Sequence, residues 1–270
     1  MVTSELLDLA RSVALEAGEL AARRRREGVE IAATKSTIVD VVTEADREVE
    51  RLVVERLIAA RPRDGLLGEE GASRPSESGL TWVIDPIDGT VNYLYGLPHY
   101  AVSIAVVEGD PDPLTWNAVA GCVLNPASGE IFTAQAGGGA YCGDRRIHVG
   151  EPVPLELALI ATGFAYRAET RGFQGEVVAR MLPRVRDIRR QGTASLDLCF
   201  VGDGRYDAYF ERTLSPWDHA AGALIAREAG ARVIGMRGAA PSRDLILAAE
   251  PTVADALEAL LDELGEFAEI

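Results

Sequence analysis

Apolar residues recur at helical spacing at Leu6, Leu9, Val13, Ala17 and Leu20, which predicts one amphipathic helix from about Ser4 to Glu27, ending near Gly28. A second helix is expected behind Thr43, a good N-cap with Asp46 three positions on, and runs to about Ala60. Arg61-Pro62-Arg63-Asp64-Gly65 reads as a turn and Leu66-Leu67-Gly68 as a short strand with Glu69-Glu70-Gly71 at its end. Ala72 to Gly79 reads as a flexible polar loop. The unbroken apolar run Trp82-Val83-Ile84 predicts a buried strand. That strand is expected to stop at Asp85, because Pro86 has no amide hydrogen to give a sheet. A short helix should follow from near Val91. Tyr100 to Val107, Ala118 to Leu124 and Glu130 to Ala134 are strand-like, with turns at Gly109-Asp110 and Asn125-Pro126. Gly137-Gly138-Gly139 introduces a further strand, and Cys142-Gly143-Asp144 reads as a hairpin turn. Strands in such succession predict a largely antiparallel sheet, not a doubly wound parallel one.

A second half begins near Glu151-Pro152, giving an N-terminal α+β half, 1–150, and a C-terminal α/β half, 151–270. In the latter, Leu157 to Ala161, Val185 to Arg189, Tyr206 to Glu211, Arg232 to Gly235 and Leu245 to Ala248 read as strands. Helices are expected over Thr170 to Leu182, from the small-residue turn Gln191-Gly192-Thr193-Ala194-Ser195 through Val201, behind Ser215-Pro216, and over Thr252 to Leu264.

Composition adds bounds. The chain has 270 residues, 47% hydrophobic and 26% charged, which is ordinary globular composition. Its formal net charge of −15 disfavours nucleic acid and anionic membranes as partners. The run Arg23 to Arg26 is read as a solvated helix end complementing the dipole. Cys122, Cys142 and Cys199 show neither zinc spacing nor a disulfide framework. No signal peptide or apolar stretch of membrane-spanning length is seen, and a cytoplasmic location is expected.

The stretch Asp85-Pro86-Ile87-Asp88-Gly89-Thr90 carries the chemistry. Two carboxylates close a buried strand just before a helix start. Oxygen ligands suit Mg²⁺, and free amides at a helix start suit phosphate. Together they point to metal-assisted phosphate chemistry. Each candidate also has an ordinary structural explanation. Asp-Pro and Asp-Gly are common in turns, Asp46 could be a cap alone, Glu69 and Glu70 could be solvated, and Asp218 in a first helical turn favours the dipole. The 191–195 turn could present amides and a hydroxyl to a ligand, or simply cap its helix. His219 reads as a packing or surface residue.

Taken together, Glu69-Glu70, Asp85-Pro86-Ile87-Asp88-Gly89-Thr90 and Trp217-Asp218 with Ala221-Gly222 resemble the two signatures of the inositol monophosphatase family of lithium-sensitive, magnesium-dependent phosphatases. The likeness runs from Lys35 through Asp40 and Asp46 to Gly192-Thr193-Ala194 and Glu211. It implies an α+β fold, a five-layered αβαβα sandwich, usually a homodimer. It implies two or three Mg²⁺ per site held by Glu69, Asp85, the Ile87 carbonyl, Asp88 and Asp218, with Asp85 bridging. Glu69, Thr90 and Asp46 would be catalytic, Asp46 holding Thr90 toward water. The Gly89 and Thr90 amides would meet the phosphate; Gly192, Thr193, Ala194 and Glu211 would contact the substrate's alcohol portion; Asp88 and Asp218 would also belong to the substrate-binding set. Lys35 matches a family lysine near the site. The implied reaction is hydrolysis of inositol monophosphate by metal-activated water. Histidinol phosphate, fructose 1,6-bisphosphate and a 3′-phosphoadenosine nucleotide are the alternative substrates. Glu211 favours a polyol or amino alcohol, and no aromatic surface for a nucleotide base can be placed from sequence. A regulatory homologue without the chemistry is the third reading, and the full set of carboxylates argues against it.

Overall fold

A computed structural model describes residues 2–29, 31–34 and 41–267, so Lys35 and Asp40 lie outside the described residues. The long first helix, α1 (Val2–Glu27), buries one stripe, Leu6, Ala10, Val13, Ala14, Ala17 and Ala21. A small antiparallel pair, β1 (Ile31–Thr34) and β2 (Val41–Thr43), leads into α2 (Glu44–Ala60), which buries Val49, Val53 and Leu57. Both helices cover one face of an eight-stranded sheet. Its strands are β3 (Gly65–Gly68), β4 (Ser73–Arg74), β5 (Leu80–Asp88), β6 (Ala101–Glu108), β7 (Asn117–Leu124), β8 (Ile131–Gln135), β9 (Gly139–Cys142) and β10 (Arg145–Ile147). The order is β10-β9-β8-β7-β6-β5-β3-β4, and among these neighbours only β3 and β5 run parallel.

Trp82 and Ile84 face the α1/α2 side, and Val83 faces the other. A strand buried on both faces reads as one unbroken apolar run, which is why Trp82-Val83-Ile84 stood out. The expected stop at Asp85 is corrected. The strand continues to Asp88, with a register break in which Asp85 faces Ser103 and Asp88 faces Ala101. Pro86 falls within that irregularity, where no ladder donor is required. The expected loop over Ala72 to Gly79 also contains an edge strand, Ser73–Arg74, paired with Leu66 and Leu67. The short helix α3 (Thr90–Leu94) follows β5.

A five-stranded sheet comes from the second half: β11 (Leu159–Thr162), β12 (Asp187–Arg189), β13 (Ala208–Glu211), β14 (Arg232–Ile234) and β15 (Ile246–Ala249), in the order β12-β11-β13-β15-β14. The first of these begins two residues later than expected, because Leu155–Leu157 forms a 3₁₀ turn. Helices α4 (Ala168–Met181) and α7 (Pro251–Leu264) cover its outer face. Between the two sheets lie α5 (Ala194–Gly202) and α6 (Pro216–Glu228), sharing one core with Val83, Val107, Val123 and Phe132 of the first sheet and Tyr209 and Ile246 of the second. The result is the five-layered αβαβα sandwich.

The middle layer sits very close to its neighbours. A Cβ on Gly121 of β7 would stand 3.1 Å from Ala221 Cα, and one on Gly222 would stand 2.9 Å from the Ser195 carbonyl oxygen. These two glycines let α6 lie directly on β7 and on α5. His219 on α6 is buried, which settles it as a packing residue. The consequence for function is positional. The ends of β5 and β13 and the starts of α5 and α6 open onto one cleft between the halves.

Candidate active site

The cleft measures about 280 Å³. Glu69, Asp85, Ile87, Asp88, Gly89 and Thr90 line it from the first half, and Gly192, Ala194, Glu211 and Asp218 line it from the second. Residues separated by most of the chain therefore meet in one place.

The turn closing β5 is held from several sides. The Asp85 carboxylate accepts from the Ile87 amide at 3.1 Å. Thr90 Oγ1 lies 3.1 Å from the Ile87 carbonyl and 3.2 Å from Asp46 Oδ1. Asp46 is itself anchored, since its Oδ2 accepts from the Thr43 amide at 2.8 Å and from the Thr43 hydroxyl at 2.5 Å. Asp46 stands behind Thr90 and is not on the cleft wall. Gly89 has φ +88°, a region that favours glycine. A Cβ there would also stand 2.4 Å from Thr193 Oγ1, so glycine is needed twice over.

Asp88 ties the halves together. Its Oδ2 accepts from the Ser195 amide at 2.7 Å and the Ser195 hydroxyl at 2.5 Å. Asn92 donates to the Gln191 carbonyl at 2.7 Å, and Thr193 Oγ1 donates to the His99 carbonyl at 3.0 Å. Thr193 is fully buried behind the turn, so its side chain positions Gly192 and Ala194 and does not face the cleft. Asp218, in the first turn of α6, accepts from the Ser215 amide at 2.6 Å. Glu211 accepts from the Tyr209 hydroxyl at 2.6 Å, and its carboxylate occupies space that only a glycine at 163 leaves open.

The electrostatics are those of anions out of water. Burial, reinforced by Glu69 and Asp88, pushes the Asp85 and Asp218 carboxyls well above the usual range. Burial raises Asp88 to about 7 in spite of the Ser195 hydrogen bonds, and raises Glu211 and Asp46 to about 7. Asp85 and Glu69 lie side by side at the ends of the neighbouring strands β5 and β3, and Glu69 is among the causes that raise Asp85. Among the described residues, no three of these acids are already closed into a metal-ligand shell. They line a common wall, and among the described residues the basic side chains on it are Arg190 and Arg243. An all-oxygen donor set whose members resist ionising together is one that divalent cations would satisfy. Glu69, Asp85, Asp88 and Asp218 with the Ile87 carbonyl fit Mg²⁺ on that ground.

Some site residues escaped the sequence reading. Ser195 was visible as a hydroxyl in the small-residue turn, but nothing local pairs it with Asp88. Gly163 carried no signal. Phe164, Tyr166 and Trp217 also line the cleft, which corrects the expectation that no aromatic surface can be placed.

A family model described as the inositol monophosphatase family matches residues 3–266. The chain belongs to the inositol monophosphatase family. The inositol-1-monophosphatase of Mycobacterium leprae is 42% identical, over 98% of this chain and 96% of its own length. A relative from Xylella fastidiosa called Nus factor SuhB is 44% identical over 76% of this chain and 73% of its own. Among solved structures, SuhB of Mycobacterium tuberculosis superposes with TM-score 0.82 at 41% identity, covering 98% of each chain. The extragenic suppressor protein SuhB of Bartonella henselae gives TM-score 0.88 at 34% identity, covering 96% of this chain and 99% of its own. Among the described residues, no helix is long and apolar enough to cross a membrane.

Proposed function

We propose that this protein is a Mg²⁺-dependent phosphomonoesterase that hydrolyses inositol monophosphate to inositol and phosphate, working in the cytoplasm as a homodimer. One observation carries the reading: Glu69, Asp85, Asp88 and Asp218, from both halves, converge on one cleft, Asp85 and Asp88 buried and Glu69 and Asp218 half-buried. The metal assignment and the residue roles rest on that convergence together with family membership.

In this reading the four acids and the Ile87 carbonyl hold the cations. When bound, Mg²⁺ supplies the positive field that admits a phosphate dianion and the lowered water pKa that makes a nucleophile at neutral pH. The chain's own groups do the rest. Thr90 Oγ1, held by Asp46 Oδ1, would orient the attacking water, and the Glu69 carboxylate would accept its proton; as the new phosphorus–oxygen bond forms, the ester phosphorus–oxygen bond breaks and the departing alkoxide takes a proton from solvent to leave as the alcohol. The amides of Gly89 and Thr90 meet the phosphate oxygens. Gly192 and Ala194 border the alcohol portion, and Glu211 accepts hydrogen bonds from its hydroxyls. No side-chain nucleophile is called for.

The alternatives keep this chemistry and change the alcohol. Glu211 favours a polyol or an amino alcohol such as histidinol phosphate. Phe164, Tyr166 and Trp217 give a base somewhere to stack, so a 3′-phosphoadenosine nucleotide belongs in the comparison beside fructose 1,6-bisphosphate. A second kind of reading, a regulatory role, draws on the relatives named Nus factor SuhB. Phosphate release from the four substrates, with Mg²⁺ and after chelation, separates these readings. Release from inositol monophosphate that depends on Mg²⁺ supports the proposal. Release from none of the four would leave only the regulatory reading.

A further inference from the structure

The face of α2 that presents Asp46 also presents Glu50, one helical turn further on. Glu50 is 6% exposed. Its Oε2 accepts from the Glu70 amide at 2.8 Å, and its Oε1 accepts from the Ala72 amide at 2.9 Å. These amides belong to the turn after β3, whose first residue is Glu69. The space for the carboxylate is reserved, because a Cβ on Gly68 would stand 2.4 Å from Glu50 Oε2. Two donors on the β3 side are met by backbone: the Gly68 amide bonds the Ala72 carbonyl at 2.7 Å, and the Glu69 amide bonds the Ile84 carbonyl at 3.2 Å. Glu69 is thus fixed on its β5 side by the sheet and on its far side by Glu50.

A carboxylate is a costly choice for that position. It is buried, and it stands beside two further acids. An apolar side chain would fill the volume more cheaply but would leave two turn amides without an acceptor. An anion that takes both amides sets the path of the turn, and with it the direction of the Glu69 side chain. We infer that Glu50 is a positioning residue, holding the 69–72 turn so that Glu69 lines the cleft beside Asp85. Through Asp46 and Glu50, a single helix face then braces both ligand-bearing segments, the β5 turn and the β3 turn. This inference rests on the metal reading above, with Glu69 as a ligand.

The test is Mn²⁺ binding to the full chain without substrate, followed by electron paramagnetic resonance of the free ion. The wild type, Glu50→Gln and Glu50→Ala are compared with Leu57→Ala, a cavity in the buried face of the same helix. Melting of each metal-free variant is recorded alongside. Supporting partners of metal ligands change affinity by about 10- to 100-fold. Glu50→Ala is expected to weaken Mn²⁺ binding by that order. Glu50→Gln, which keeps one acceptor oxygen and the shape, should fall between and serves if the alanine variant does not fold. Leu57→Ala should lower the melting temperature and leave Mn²⁺ affinity close to wild type. Glu50 variants that bind like wild type would overturn the inference, and so would a Leu57→Ala protein that loses affinity equally. A wild type that binds no Mn²⁺ removes the metal reading itself and the inference with it.

Discussion

Stripping divalent metal from the protein and raising the pH should destabilise it in a defined window. Asp46, Asp88 and Glu211 each sit at about 7 in the folded chain, against ordinary values of 3.8, 3.8 and 4.5. A carboxyl whose folded value is raised contributes stability that is complete below its unfolded value and is lost as the pH climbs through the folded one. The two buried histidines act in the opposite sense. His99 and His219 are lowered from 6.5 to about 4, so their stabilisation is present above 6.5 and lost on acidification. That opposition fades above pH 6.5, so the window for the test runs from about pH 6.5 to 8. For one acid titrating near 7 in the fold and already ionised when unfolded, the loss across it is ~0.8 kcal/mol. Three such acids set an upper limit of ~2.4 kcal/mol on the site's share, since their titrations interact. In a chain of this size that is a fall of roughly 5–10 °C in melting temperature at the limit. Burial also raises Asp85, Asp197 and Asp218 well above the ordinary carboxyl value, and they act with the same sign. Glu266, also at about 7, lies beside Arg212 away from the cleft and contributes equally with and without metal.

Calorimetric melts in chelator and in saturating Mg²⁺, taken at half-unit steps of pH, decide the matter. The chelated protein should lose stability steadily over the window. The Mg²⁺-loaded protein should lose much less, because the cations offset the charges of the cleft acids. A chelated protein with a flat or rising melting temperature would refute the electrostatic description of the cleft. Parallel slopes in the two conditions would refute cation binding among these acids.

Further outcomes follow from single residues. Asp218→Asn keeps an oxygen for the Ser215 amide, so it should fold normally and lose Mg²⁺-dependent turnover on the order of 10³-fold, several kcal/mol of transition-state stabilisation; turnover close to wild type would show the metal assignment to be wrong. Gly163→Ala places a methyl 2.0 Å from the Glu211 carboxyl. Losing that charged acceptor should lower kcat/KM for a polyol phosphate about 10- to 100-fold, read from steady-state kinetics. Gly222→Ala drives a methyl to 2.9 Å from both Leu198 Cβ and the Ser195 carbonyl oxygen. It should cost about 1–3 kcal/mol in denaturant melts. Lithium at millimolar concentration should inhibit phosphate release, and an insensitive enzyme would depart from what the family resemblance implies.

Local signals were strong in this sequence wherever a few neighbouring residues decide the outcome. Thr43 with Asp46, Ser215-Pro216 and the apolar periodicity of Leu6 to Leu20 each placed an element within a few residues of where it stands. The failures share a cause. Pro86 reads as the end of a strand because its missing donor is visible locally, while the register break that tolerates it depends on β6. Ser195 meets Asp88 across 107 residues of sequence, and Gly163 matters only because Glu211 folds back over it. No short window contains either fact.

The acids show why spacing alone left the site undecided. Helix capping and site chemistry were set against each other as explanations of Asp46, and dipole stabilisation against site chemistry for Asp218; the structure lets both hold. Asp46 gives Oδ2 to Thr43 at the start of α2 and presents Oδ1 to Thr90. Asp218 gives Oδ2 to the Ser215 amide at the start of α6 and still lines the cleft, and Asp88 gives Oδ2 to Ser195 at the start of α5 and lines it too. A carboxylate has two oxygens. Anchoring one to a helix start fixes the side chain's direction without using the other. Two helix starts, α5 and α6, each holding an acid by one oxygen, are therefore a means of aiming acids that repel one another at a common point, while α2 aims Asp46 at Thr90 behind it. The anchoring bonds stabilise the charged forms, against the burial that opposes them, so the convergence can exist in the folded chain before any cation arrives.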